Sequence, residues 1–89
     1  HGLMATIDLL YFAWVRESIG IGHERATPPA EIADVAGLID WLAARGGGYA
    51  EALGDKTRLR AAVDQVFVPL DASIVGAREI ALFPPVTGG

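Results

Sequence analysis

Apolar residues run almost unbroken from Ile7 to Ala13 (Ile-Asp-Leu-Leu-Tyr-Phe-Ala). The length and the β-forming composition predict a strand, and the near-continuity predicts one covered on both faces. Trp14 to Ile19 fits a short helical turn stopped by Gly20 and Gly22. Arg25-Ala26-Thr27 fits a short strand that Pro28-Pro29 must end. From Val35 the period changes. Val35, Leu38, Ile39 and Leu42 recur at helical spacing and form one apolar stripe. Asp34 stands ready as N-cap, Arg45 complements the negative helix end, and Gly46-Gly47-Gly48 provides a left-handed stop.

Tyr49 to Leu53 adds a further helical turn. Leu59 to Leu70 is strand-like again, interrupted by Asp64-Gln65, so it reads as a hairpin, although Asp-Gln is a weaker turn signal than Asn-Gly. Asp71 to Gly76 is a connection, and Arg78 to Phe83 is the last strand. The economical architecture is α+β, a mixed sheet of four to five strands packed on one main helix. The first and last strands are the most apolar, so they belong at the centre, paired parallel. That is a β-grasp arrangement, and it sends the C-terminus out from the middle of the sheet.

At 89 residues the chain has room for one domain. Residues 4–83 are assigned to it, His1-Gly2-Leu3 ahead of Met4 reads as an expression remnant, and 84–89 form an extended functional tail. There is no cysteine, which excludes disulfides, thiolate metal sites and a cysteine nucleophile. A net charge of -4 with scattered basic residues gives a nucleic-acid backbone no landing surface. No apolar run approaches the roughly 20 residues that cross a bilayer, and no secretory signal opens the chain, so no membrane role and a cytoplasmic location are expected. An apolar content of 52% either fills a core or leaves apolar surface for a partner.

Candidate chemistry concentrates in Pro84-Pro85-Val86-Thr87-Gly88-Gly89. The prolines end any ladder and favour an extended chain. The glycines are narrow enough to thread a channel and leave the terminal carbonyl open to attack. A carboxylate is a poor acyl acceptor until activated, for instance as an adenylate. No phosphate-binding loop is present, since Gly46-Gly47-Gly48 continues into Tyr49 rather than Lys-Ser or Lys-Thr. Activation would have to come from a partner. Elsewhere the chemistry is thin. His23 sits in a loop, Asp8 has no second carboxylate to work with, Arg16 and Glu17 read as a solvated face, and no metal site or Ser-His-Asp set is supported.

The run Ala81-Leu82-Phe83-Pro84-Pro85-Val86-Thr87-Gly88-Gly89 resembles the terminal signature of the small, sulfur-carrier subunits of molybdopterin synthase, a ubiquitin-like family. Leu10-Tyr11-Phe12-Ala13 with Val15-Arg16-Glu17, and Ala62-Val63-Asp64-Gln65, support it. The resemblance spans Ile7 to Gly89 and departs at Asp64, where Asn is usual, and at Arg78, where an acidic turn near the tail is usual.

The resemblance implies a non-catalytic sulfur donor with no bound cofactor. An E1-like adenylating enzyme would use ATP to activate Gly89, next to Gly88, and a sulfurtransferase system would make the thiocarboxylate. The tail would then enter the large catalytic subunit of a heterotetramer and give sulfur to cyclic pyranopterin monophosphate. Phe83, Pro84, Pro85, Val86 and Thr87 would contact the partner. Phe12 and Leu82 read as core, Trp41 packs on the sheet, and Trp14 is a candidate interface residue. Competing readings are a sulfur carrier for thiamin thiazole synthesis, a ubiquitin-like modifier, and an interaction module with an inert tail.

Overall fold

Residues 6–85 are described in the computed structural model. Five strands, β1 (Ile7–Tyr11), β2 (His23–Ala26), β3 (Arg60–Val63), β4 (Val66–Val68) and β5 (Glu79–Phe83), form one sheet in the order β2-β1-β5-β3-β4. The two most apolar strands are indeed central and parallel, with Leu9 opposite Ile80 and Tyr11 opposite Leu82. All other pairings are antiparallel. The expected β-grasp topology is therefore present, with three helices, α1 (Ala13–Ile19), α2 (Val35–Ala43) and α3 (Gly47–Leu53), and a short 3-10 turn, Lys56–Arg58.

Alternation along the strands sorts the side chains. Ile7, Leu9 and Tyr11 of β1 and Ile80 and Leu82 of β5 point into the core, where they meet the α2 stripe of Val35, Leu38, Ile39 and Leu42. Each such side chain contributes about 1.5–3 kcal/mol by leaving water. The opposite face carries no helix layer, and β1 alternates between buried and half-buried. The expectation of a first strand covered on both faces is therefore wrong. Its outward residues, Asp8 and Leu10, face away from the helices.

Local signals explain the helix ends. The Asp34 carboxylate accepts the Gly37 N–H at 2.8 Å, while the N–H groups of Val35 and Ala36 donate to the carbonyls of Ala72 and Leu70. The first three donors of α2, which have no partner inside the helix, are thereby satisfied. At the other end the glycine triplet does more than stop a helix. Gly46 turns the chain with φ +80°, and Gly47 and Gly48 already belong to α3. A Cβ on Gly48 would lie 1.9 Å from the Ser18 carbonyl oxygen, so only glycine lets α3 meet the end of α1 this closely. Arg45 lies beyond α2 and serves the fold differently from a helix-end charge. Its guanidinium donates to Glu24 at 2.9 Å and stacks over the rings of Trp41 and Tyr49.

The Asp64-Gln65 hairpin forms as expected. Both residues have positive φ, 49° and 70°, the sign pattern of a type I′ turn. The Asp64 carboxylate accepts the N–H groups of Arg78 and Glu79 at 2.9 and 3.0 Å. An acceptor at this position thus ties the hairpin to the start of β5, a service Asn Oδ1 would perform equally. The departure from Asn leaves the turn intact.

Candidate functional site

The tail leaves the sheet at the C-terminal end of β5. The Phe12 N–H donates to the Leu82 carbonyl at 3.3 Å, the last rung before Phe83. Phe83 and Pro84 are half-buried and Pro85 is exposed. Val86, Thr87, Gly88 and Gly89, the reactive end in the sequence reading, lie outside the described residues.

What surrounds the exit is an apolar surface on the helix-free face. Ala62 and Ala81, paired across β3 and β5, form a flat floor because their side chains are small. Phe67 and Phe83 form one wall with ring centroids 5.4 Å apart, and Leu10 and Phe12 form the other side of a groove of about 290 Å³. Phe67 is 74% exposed and Phe12 46%. Exposed aromatic rings gathered on a flat sheet face, continuous with the tail exit, are the signature of a protein-binding surface.

Two sequence expectations change here. Phe12 is not a core residue. Ala13 follows it with φ +53°, a left-handed kink that carries α1 toward the helix layer and leaves Phe12 on the open face. Leu82, in contrast, is fully buried as expected. Phe67 escaped the sequence reading altogether. The signal was present in the two-residue turn, which places Ala62 opposite Phe67, but it becomes legible only once the face of Ala62 is known.

The other singled-out residues are not assembled with the tail. Arg78 precedes β5 and lies at the end of the sheet opposite the exit, so its basic charge is not near the tail. There, with Asp8, Asp64, Gln65 and Glu79, it lines an open polar hollow. His23 belongs to β2 rather than to a loop, and its Nε2 lies 3.5 Å from Asp8. Asp8 is solvent-facing as expected, and Arg25 beside it, 3.0 Å away, holds its carboxyl below the usual value. Arg16 and Glu17 are exposed, and Trp14 is half-buried beneath Arg58. Among the described residues no group of three His, Asp or Glu side chains could hold a metal ion, and no helix is long and apolar enough to cross a membrane.

One half-buried polar cluster lies against Tyr49 of α3. Glu24 accepts the hydroxyls of Tyr11 and Tyr49 at 2.8 and 2.5 Å as well as the Arg45 guanidinium. Burial alone would raise the Glu24 pKa, but these three donors together hold it below the ordinary value. Tyr11 is pushed up strongly, chiefly by burial and then by Glu24. No buried polar side-chain atom in it lacks a partner, and its bonds tie β1, β2 and α3 together.

The ThiS family model matches residues 9–89. The chain is 36% identical to the molybdopterin synthase sulfur carrier subunit of Haemophilus influenzae and 40% identical to that of Escherichia coli, in each case over 93% of this chain and 99% of the relative. Its backbone superposes on the crystal structure of SAMP1 from Haloferax volcanii with a TM-score of 0.68, covering 96% of this chain and all of the other at 23% identity, which bears on the fold alone. With 36–40% identity to two such subunits over nearly the whole of the chain and a family match that runs through Gly89, the chain belongs to the ThiS family, among the sulfur carrier subunits of molybdopterin synthase.

Proposed function

We propose that the chain carries sulfur as a thiocarboxylate on Gly89 and delivers it inside the large catalytic subunit of molybdopterin synthase. An E1-like adenylating enzyme joins the Gly89 carboxylate to AMP, releasing pyrophosphate from ATP. A sulfurtransferase system then supplies the sulfur nucleophile that displaces AMP. The thiocarboxylate sulfur bonds to cyclic pyranopterin monophosphate, water hydrolyses the Gly89 acyl–sulfur bond and leaves the sulfur on the pterin, and the regenerated carboxylate starts another cycle.

In this reading the chain's own residues present and dock the tail but do no bond chemistry beyond Gly89. β5 carries the tail out of the sheet, Pro84-Pro85 keep it extended, and Gly88-Gly89 let it pass a narrow channel. The face formed by Phe12, Phe67 and Phe83 seats on each partner in turn. The observation that carries the reading is this exposed aromatic face beside the tail exit, in a chain whose full-length relatives are sulfur carrier subunits.

The test is intact-protein mass spectrometry after incubation with ATP, the adenylating enzyme of the same organism and a sulfide source. A gain equal to one oxygen exchanged for sulfur, absent when Gly88-Gly89 is deleted, is expected. No gain with an enzyme proven active on another carrier would overturn the reading. Adding the large subunit and its pterin precursor, or a thiazole-forming system in its place, then identifies the acceptor.

A further inference from the structure

The tail exit is flanked by two arginines that the docking face does not use. Arg60 opens β3 directly across from Phe83, and it shares with Phe67 and Phe83 a hollow of about 240 Å³. Its guanidinium is exposed and donates within the chain to the backbone carbonyl of Leu59. Arg58, two residues earlier, reaches toward α1 and stacks over Trp14 with its guanidinium carbon 4.8 Å from the ring centroid. Helix α1 begins just after Phe12, so this pair also stands at the exit end of the sheet.

Neither arginine has an ion-pair partner among the described residues, where the ion pairs are made by His23, Arg25, Arg45 and Lys56. The carboxylate that senses Arg58, Asp55, is engaged by the backbone N–H and hydroxyl of Thr57. Stacking on Trp14 holds Arg58 in place while its outer N–H groups stay open to a carboxylate, a combination that suits guanidinium better than ammonium.

These two free cations sit on a chain whose net charge is -4. A partner surface rich in carboxylates would repel the molecule as a whole and attract its exit end, because Arg78, the unpaired arginine at the opposite end of the sheet, lies among Asp8, Asp64 and Glu79. Apolar contact is non-directional, so the aromatic face alone does not say which way round the chain must land. A charged rim does, and it acts mainly on the rate of encounter and on register.

From this we infer that the large subunit presents carboxylates at the mouth of the channel that takes the tail, and that they pair with Arg58 and Arg60 to bring the chain in tail first. The inference rests on the proposed docking to the large subunit. It adds a rim of defined charge to the aromatic face.

The experiment measures association and dissociation rates of the full chain with the purified large subunit at low and at physiological salt. The variants are Arg60→Gln, Arg58→Gln with Arg60→Gln, and Arg60→Lys. The double variant is expected to associate three- to tenfold more slowly at low salt, with a shallower salt dependence and a dissociation rate within about twofold of wild type. Arg60→Lys should keep most of the rate. Arg60→Gln alone, which leaves the Trp14 stack in place, should show an intermediate loss.

Association rates and salt dependence unchanged in the double variant, with the wild-type protein binding, would overturn the inference and leave the docking reading standing. Faster association of the double variant would overturn it too, because the rim would then be basic. Charge dependence seen with the adenylating enzyme and not with the large subunit would overturn the assignment of the partner. A wild-type chain that does not bind the large subunit at all would overturn the docking reading itself.

Discussion

Tyr11 pairs with Leu82 across the parallel centre of the sheet, and the next N–H, that of Phe12, closes on the Leu82 carbonyl. The last turn of the docking face and the root of the tail are therefore one backbone unit. A partner that grips Phe12 and Phe83 fixes the direction in which the tail departs.

Truncating the face should separate binding from folding. Phe67 is largely exposed and its main aromatic contact is Phe83, so Phe67→Ala should cost about 1 kcal/mol of stability or less. At the interface a buried aromatic anchor is worth about 2 kcal/mol or more, roughly thirtyfold in Kd. Thermal unfolding together with titration against the large subunit checks both. Equal wild-type and variant affinities would remove Phe67 from the docking face.

Gly48→Ala tests the close approach of α3 to α1. The added methyl would overlap the Ser18 carbonyl, which is backbone and cannot swing aside. Helix propensity alone would favour alanine by about 1 kcal/mol. The steric term should win and leave the variant destabilised by about 2–4 kcal/mol, a size typical of overpacking with backbone displacement. Chemical denaturation measures it. A stabilised variant would mean that the two helices separate freely.

Asp64→Asn should be nearly neutral, whereas Asp64→Ala should cost about 2–3 kcal/mol. Asparagine keeps an acceptor for the N–H groups of Arg78 and Glu79 and tolerates positive φ. Alanine leaves both donors without their partner and strains the turn. Equal stabilities for the two variants, read by denaturant midpoints, would show that the side-chain link does not contribute.

The contrast between what was and was not legible in the sequence follows from range. Helix α2, its Asp34 cap and the Asp64-Gln65 turn rest on residues within a few positions of one another, and their patterns could be read directly. The central parallel pair was readable because Ile7–Tyr11 and Glu79–Phe83 are both unusually apolar. The open face was not. Leu10 and Phe12 read as core because nothing local says that all three helices pack on one side. Phe67 becomes an interface residue only when the register of β3 on β5 places it beside Phe83. Arg78 was mislocated for a similar reason, since nearness to the tail along the chain is distance along an extended strand. Five residues of β5 separate it from the exit, about 17 Å. Gly88 and Gly89, proposed as the reactive end, were singled out from the sequence alone, by their open terminal carbonyl and by resemblance.

The Glu24 cluster gives the fold a pH dependence of definite sign. Its carboxyl has a folded pKa below the unfolded value, because Tyr49, Arg45 and Tyr11 donate to the charged form more than burial disfavours it. Stability from this group is therefore fully present above the unfolded carboxylate pKa, about 4.3 for Glu, and is lost as pH falls through the folded value. Tyr11 works in the opposite sense. Its folded pKa is raised, so its contribution is full below the ordinary tyrosine range and is lost only in strong alkali. Glu24→Gln keeps one acceptor but gives up the charge that Arg45 and two hydroxyls share, which should cost about 1–3 kcal/mol at neutral pH. The penalty should shrink as pH falls through the lowered folded pKa of Glu24, because the wild-type carboxyl then takes up a proton and loses the same charge. Asp8 and Asp55, also held low, contribute to the acid limb of both proteins and cancel in the difference. Paired melting curves from pH 3 to 7 measure that difference directly. A penalty independent of pH would mean that the Glu24 charge does not stabilise the junction of β1, β2 and α3.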